Sequence, residues 1–222
     1  MASVAVFDIN ETTLDLAPVR DVVDELLKRD GGFRAWFGRL LQTSMAMTAT
    51  GRYEDFGALA KAALDSIGQS EGTTVPAGGW DRLAAAMAGL APHPDVEAGL
   101  SRLAEQGWRL VALTNSGQPS VDAQLTNAGL HDRFEAVLSV DSVRAFKPAP
   151  APYRFAVETV GVPPGETVMV AAHDWDLAGA KAIGMKTAFV ARPLMPFATV
   201  YPPPDHRVTD FVELAAVLDR AT

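Results

Sequence analysis

With 222 residues the chain has room for one large domain or for a core with a smaller insertion, and at 48% hydrophobic residues it can bury a sizeable core. A formal net charge of -8 and a pI near 4.9, with no basic stripe, leave out the electrostatic footprint of a nucleic-acid binder. The absence of cysteine excludes disulfides, thiolate nucleophiles and cysteine-based zinc sites. No basic region followed by a long apolar run opens the chain, and no stretch reaches the roughly 18 apolar residues of a membrane span. The expectation is a soluble, cytoplasmic protein with no membrane or nucleic-acid partner.

The stretch Ser3 to Leu16 reads SVAVFDINETTLDL. Alternating Val and Ala end at Phe7, and Asp8 follows, then Asn10, Thr12 and Thr13. This is the pattern of a buried strand that delivers a carboxylate to its carboxyl tip, where ligands bind in open α/β sheets. From Pro18 to about Leu90 the period becomes helical. Val19, Val22, Val23, Leu26 and Leu27 share one face, and Gly31-Gly32 is expected to stop that helix. Phe33, Trp36, Phe37, Leu40 and Leu41 form a second stripe, Phe56 to Ile67 a third, and Trp80, Leu83, Ala84 and Met87 a fourth. Helices without an intervening strand predict a helical bundle inserted after the first strand. Arg39 borders the apolar face of the second helix, where an arginine either snorkels to solvent or faces an anion; spacing alone favours solvent.

From Pro92 helices and strands alternate. Strands are expected at Trp108 to Leu113, Ala136 to Val140, Thr167 to Ala172 and Thr187 to Ala191. Helices are expected between them, with a capping box of Asp210 and Glu213 opening the last one, Phe211 to Leu218. The alternation predicts an α/β fold: a doubly wound parallel sheet, a Rossmann-like core. The core takes residues 1–15 and 91–222, and the inserted helical domain takes 16–90. Pro193 to Pro204 reads as a long loop near the strand tips.

Polar residues cluster after these strands. Thr114, Asn115 and Ser116 fit an anion site or an ordinary strand-to-helix turn. Lys147, fixed in an extended approach by Pro148, is suited to keep an aspartate ionised, and Tyr153 follows on the next helix. His173, Asp174, Trp175 and Asp176 end the next strand. His173 is a candidate base, anion donor or structural residue, and Asp174 a turn residue or metal ligand.

Asp8 with Thr12, Thr114, Lys147, and Asp176 followed by Gly184-Met185, in this order, resemble the four motifs of the haloacid dehalogenase superfamily. The resemblance spans essentially the whole chain, and the helical insertion matches the superfamily's four-helix cap. Most members are magnesium-dependent phosphatases. These carry a second Asp where this chain has Asn10, and an acidic metal ligand where it has Ala172. Asparagine gives no proton to a leaving alkoxide, and a hard magnesium site lacks two carboxylates here. The pattern is more similar to the L-2-haloacid dehalogenases, which share Arg39 in an aromatic-rich cap helix, Lys147-Pro148 with Tyr153, and Trp175-Asp176.

The resemblance implies a metal-independent hydrolase with no cofactor. Asp8 attacks the carbon bearing the halogen, and water then attacks the Asp8 carbonyl of the resulting ester. It assigns Arg39, with Asn115, to the halide and Thr114 with nearby amides to the substrate carboxylate. Lys147 keeps Asp8 ionised, Tyr153 supports the site, and Asp176 serves the hydrolytic water. Trp36, Phe37 and Trp175 wall off solvent, and Asn10 and His173 join the substrate site. The implied partners are a small 2-halocarboxylic acid, a halide ion and a second copy of the chain in a homodimer. The chain departs from the dehalogenase pattern at Asn10, Glu11, Ala171 and His173, where those enzymes have Tyr, Gly, Ser and Asn. Two other readings stand beside it: a magnesium phosphatase that recruits Asp174 as metal ligand, and a non-enzymatic binder of a small acid.

Overall fold

The computed structural model of the chain describes residues 4–219; Ser3, expected to begin the first strand, lies outside them. Strand β1 (Val4–Phe7) is fully buried because it is the middle of a parallel sheet. The other strands are β2 (Arg109–Thr114), β3 (Ala136–Ser139), β4 (Thr167–Ala171), β5 (Lys186–Val190) and β6 (His206–Val208). Their order is β3-β2-β1-β4-β5-β6, all parallel, with Val4 in register with Arg109 on one side and Thr167 on the other. The chain steps outward from β1 to β3, then crosses back to lay β4 on the other side of β1. The switch point between β1 and β4 is where such sheets open a crevice at their carboxyl ends.

The two-residue period of β1 decides which layer each side chain joins. Ala5 and Phe7 pack with α5 (Val96–Glu105), α6 (Gln118–Asn127) and α9 (Phe211–Asp219). Val4 and Val6 pack on the other face with α7 (Pro150–Val160) and α8 (Asp174–Ala182). Between β1 and α5 come α1 (Ala17–Leu27), α2 (Gly32–Ala49), α3 (Phe56–Ser70) and α4 (Gly79–Ala88), with no strand among them. Their stripes meet: α1 packs on α2 and α4, and α2 on α3. The two connections into this insertion run side by side, with Asp15 N donating to Ala91 O (2.9 Å) and His93 N to Thr13 O (3.1 Å).

The ends of β2, β3, β4 and β5 shift by one residue from the sequence reading, and three larger features differ. Helix α1 ends at Lys28, which takes the left-handed conformation (φ 52°), and Gly31 (φ 77°) instead starts α2. Asp210 caps α9 as expected, accepting from Glu213 N at 2.7 Å, but Glu213 reaches Thr209 N and not the Asp210 amide. Strand β6 was not anticipated: three residues of mixed polarity carry no periodic signal, and pairing with β5 makes them a strand. Among the described residues no helix is long and apolar enough to cross a membrane.

Candidate active site

Asp8 lies just past the end of β1, and its backbone N–H continues the sheet to Val170 O (3.0 Å). Its side chain is buried, and both oxygens are engaged. Lys147 Nζ donates to Oδ1 at 2.9 Å, and Thr12 Oγ1 donates to Oδ2 at 2.7 Å. His173 Nδ1 lies 3.0 Å from Oδ2. Thr12 is itself fixed from both sides: Ala172 N donates to its hydroxyl (2.9 Å), and the Arg192 guanidinium donates to its carbonyl (2.9 and 3.0 Å). Lys147 continues to Asp176 Oδ2 (2.7 Å), and Tyr153 OH donates to Asp176 Oδ1 (2.6 Å). Asn115 Oδ1 accepts from Lys147 N at 2.9 Å and so ties the end of β2 to the lysine. Gly179 leaves room for the closest of these contacts, since a Cβ there would lie 2.6 Å from Pro148 O and from Tyr153.

The electrostatics follow from burial set against pairing. Burial would raise the Asp8 carboxyl, but the Lys147 ammonium and the hydrogen bond from His173 outweigh it and hold the group well below the usual carboxylate range. Burial works against the charges of Lys147 and His173, yet the carboxylates beside them push both above their ordinary values. Asp176 moves up, because burial and the nearby Asp8 exceed what Lys147 and Tyr153 return. The site therefore contains one strongly ionised carboxylate, the Lys147 ammonium, and a histidine and a second carboxylate of raised proton affinity.

Over this cluster lies an aromatic layer. The His173 ring is 5.1 Å from Trp175 and 5.9 Å from Phe37. Asn10 Nδ2 donates to Ser116 Oγ (3.0 Å), and Gln124 Nε2 donates to Asn10 Oδ1 (3.4 Å) and Met87 O (3.0 Å). Asn10, Ser116 and Phe37 border a cavity of about 340 Å³ between the inserted helices and the sheet.

A family model for haloacid dehalogenase-like hydrolases matches residues 2–184. The chain belongs to this family. An (S)-2-haloacid dehalogenase of Xanthobacter autotrophicus is 33% identical over 194 residues, covering 86% of this chain and 76% of the relative. The haloacetate dehalogenase H-2 of Moraxella sp. (strain B) is 28% identical and covers 91% of each chain. The solved L-2-haloacid dehalogenase from X. autotrophicus superposes with a TM-score of 0.87 at 29% identity over 98% of both chains. Its complex with covalently bound chloropropionic acid matches equally well.

In this haloacid dehalogenase-like hydrolase the donor set around Asp8 does not fit a hard divalent cation, which takes carboxylate oxygens and water. The Lys147 ammonium already occupies the space between the Asp8 and Asp176 carboxylates, and the backbone at Ala172 brings no side-chain oxygen there. Asp174 is no substitute, because its oxygens accept from the backbone of Trp175 (2.8 Å) and Ala198 (2.9 Å).

Arg39 is a correction. It lies on the exposed face of α2, where its Nη1 donates to Gln42 (3.1 Å), and it does not reach the cluster. The α2 residue that does is Phe37. Two positions on a helix are roughly 200° apart, so the two side chains point to opposite faces. Thr114 is buried, and its Oγ1 accepts from Ser116 N (3.1 Å), so the hydroxyl shapes the turn. Sequence reading missed Gln124 and Arg192. Each is a buried polar residue beside apolar neighbours, a mismatch visible in the sequence, but only the fold shows what each one binds.

Proposed function

We propose that the chain hydrolyses (S)-2-halocarboxylic acids through an ester to Asp8, without a metal. One observation carries this reading: Asp8 is held ionised while Asn10, which has no acidic proton, stands two residues away. A halide leaves as a stable anion and needs no proton, whereas an alkoxide leaving group does. The named relatives of similar length support the same chemistry.

Asp8 Oδ1 has one partner and Oδ2 has two, so Oδ1 retains more free lone-pair density and is the attacking oxygen. It forms a bond to C2 as the carbon–halogen bond breaks on the opposite side, inverting the carbon. The halide departs with the bonding pair, against the rings of Trp36, Phe37 and Trp175, whose positive edges favour an anion in a dry setting. The substrate carboxylate is received at the end of β2, by Asn115, Ser116 and the amino end of α6, with Thr114 holding the turn. Lys147 balances the charge of Asp8. Water then attacks Asp8 Cγ and gives its proton to Asp176, whose raised proton affinity suits a base. The Cγ–O ester bond breaks, the alkoxide takes back the proton held by Asp176, Asp8 sheds the second proton of the water as it returns to a carboxylate, and the inverted 2-hydroxy acid leaves. Residues 16–90 act as the cap that keeps bulk water out.

Each enantiomer of 2-chloropropionate, in EDTA, is the direct test. Chloride release from the S enantiomer alone, with R-lactate as product and at least a ~1000-fold loss in Asp8→Asn, is expected. Chloride release from neither enantiomer, or undiminished turnover by Asp8→Asn, would sink the covalent mechanism.

A further inference from the structure

The cavity beside the site is larger and more apolar than a short haloacid requires. Leu16, Trp36, Leu40, Phe56, Leu83 and Met87 line it, and no lysine, arginine, histidine, aspartate or glutamate does. One part of the lining is polar, and it adjoins the chemistry. It consists of Asn10, two residues past Asp8, with its hydrogen-bond partners Ser116 and Gln124, and of Ser120 on α6. Ala84 on α4 and Ala123 on α6 also border the cavity and are exposed, so it reaches solvent between those helices.

At about 340 Å³ the space falls in the range of about 300–1,000 Å³ typical of sites for drug-sized ligands. A chloropropionate with its carboxylate at the polar end leaves most of it empty. Empty apolar space forfeits dispersion contacts on every wall, and an apolar pocket with a few polar groups at one end is the form of a site for an amphiphilic ligand. Phe37 strengthens this reading. It is an apolar ring that lines the cavity and packs near His173, so the wall nearest the chemistry carries no charge.

We infer that the preferred substrates are 2-halocarboxylic acids bearing a long alkyl or aryl group on C2, and that this group occupies the cavity. The inference rests on the hydrolysis reading above and specifies its substrate class. Reactivity at C2 is set by Asp8 and Lys147; selection among acids is set by apolar area buried on α2, α3 and α4. Each methylene taken from water into such a pocket is worth about fourfold in kcat/KM when the contact persists in the transition state.

The experiment measures kcat/KM for bromide release by the full chain from 2-bromopropionate, 2-bromohexanoate and 2-bromooctanoate. A rise of roughly fiftyfold from the propionate to the hexanoate is expected. Ala60→Leu, inside the cavity, and Ala84→Phe, at its exposed border, should each lower the hexanoate-to-propionate ratio by about tenfold. If Ala60→Leu fails to fold, Ala84→Phe at its exposed position still reports. Bromide release that is equal or better with 2-bromopropionate overturns the inference and leaves the hydrolysis reading standing. A preference that neither variant moves also overturns it, because the chain must then lie elsewhere. No bromide from any of the acids overturns both.

Discussion

Glu11 shows how one buried side chain couples this site to pH. It follows Asn10 in a left-handed backbone conformation (φ 65°), which costs a residue with a Cβ. Its carboxylate is buried, Oε2 has no hydrogen-bond partner, and Arg20 Nη2 is 3.6 Å away. Burial pushes the carboxyl from 4.5 up to about 7, against the pull of Arg20. Between those values the folded chain holds a proton that the unfolded chain has lost, so stability falls as pH rises through this window. The full effect is about 3 kcal/mol, from the size of the shift. Glu11→Gln should therefore unfold at higher urea than the wild type at pH 8, with little difference at pH 5. A gap equal at both pH values would assign the effect to packing and not to ionisation.

Helix α2 carries the main correction at the scale of an element. Its aromatic stripe was legible from spacing, and Phe33, Trp36 and Leu40 are buried as the period requires. Which residue at the border of the stripe faces the sheet depends on how the helix is rotated against α3 and on where its start falls, at Gly32. That rotation points Phe37 at His173 and turns Arg39 to solvent. Arg39→Ala should leave halide release within about twofold, since an exposed side chain bonded to Gln42 contributes little. A tenfold loss in kcat would restore the arginine to the site.

Gln124 joins the two halves of the whole molecule. From α6 in the sheet layer it donates to Met87 O at the end of α4 and to Asn10 beside the nucleophile. Gln124→Leu leaves the half-buried Met87 carbonyl and Asn10 amide oxygen without this donor, a cost of about 1 kcal/mol. A lower melting temperature together with a raised KM is expected; an unchanged melting temperature would mean that the insertion is held without this link. The order of elements was legible from the sequence because period and punctuation are local. Alternation of Val and Ala marked β1, helical stripes marked the insertion, and Asp8, Lys147 and Asp176 each stood at or after the end of a strand. The sequence by itself determined the parallel core, the inserted helices and the identity of the charged residues that meet at Asp8. Only the tertiary structure decided the sixth strand, the face that α2 presents, the partners of Gln124 and Arg192, and the volume of the apolar cavity. Each of these depends on contacts between residues far apart in the chain, and hydrophobic period says that a side chain is buried without saying against what.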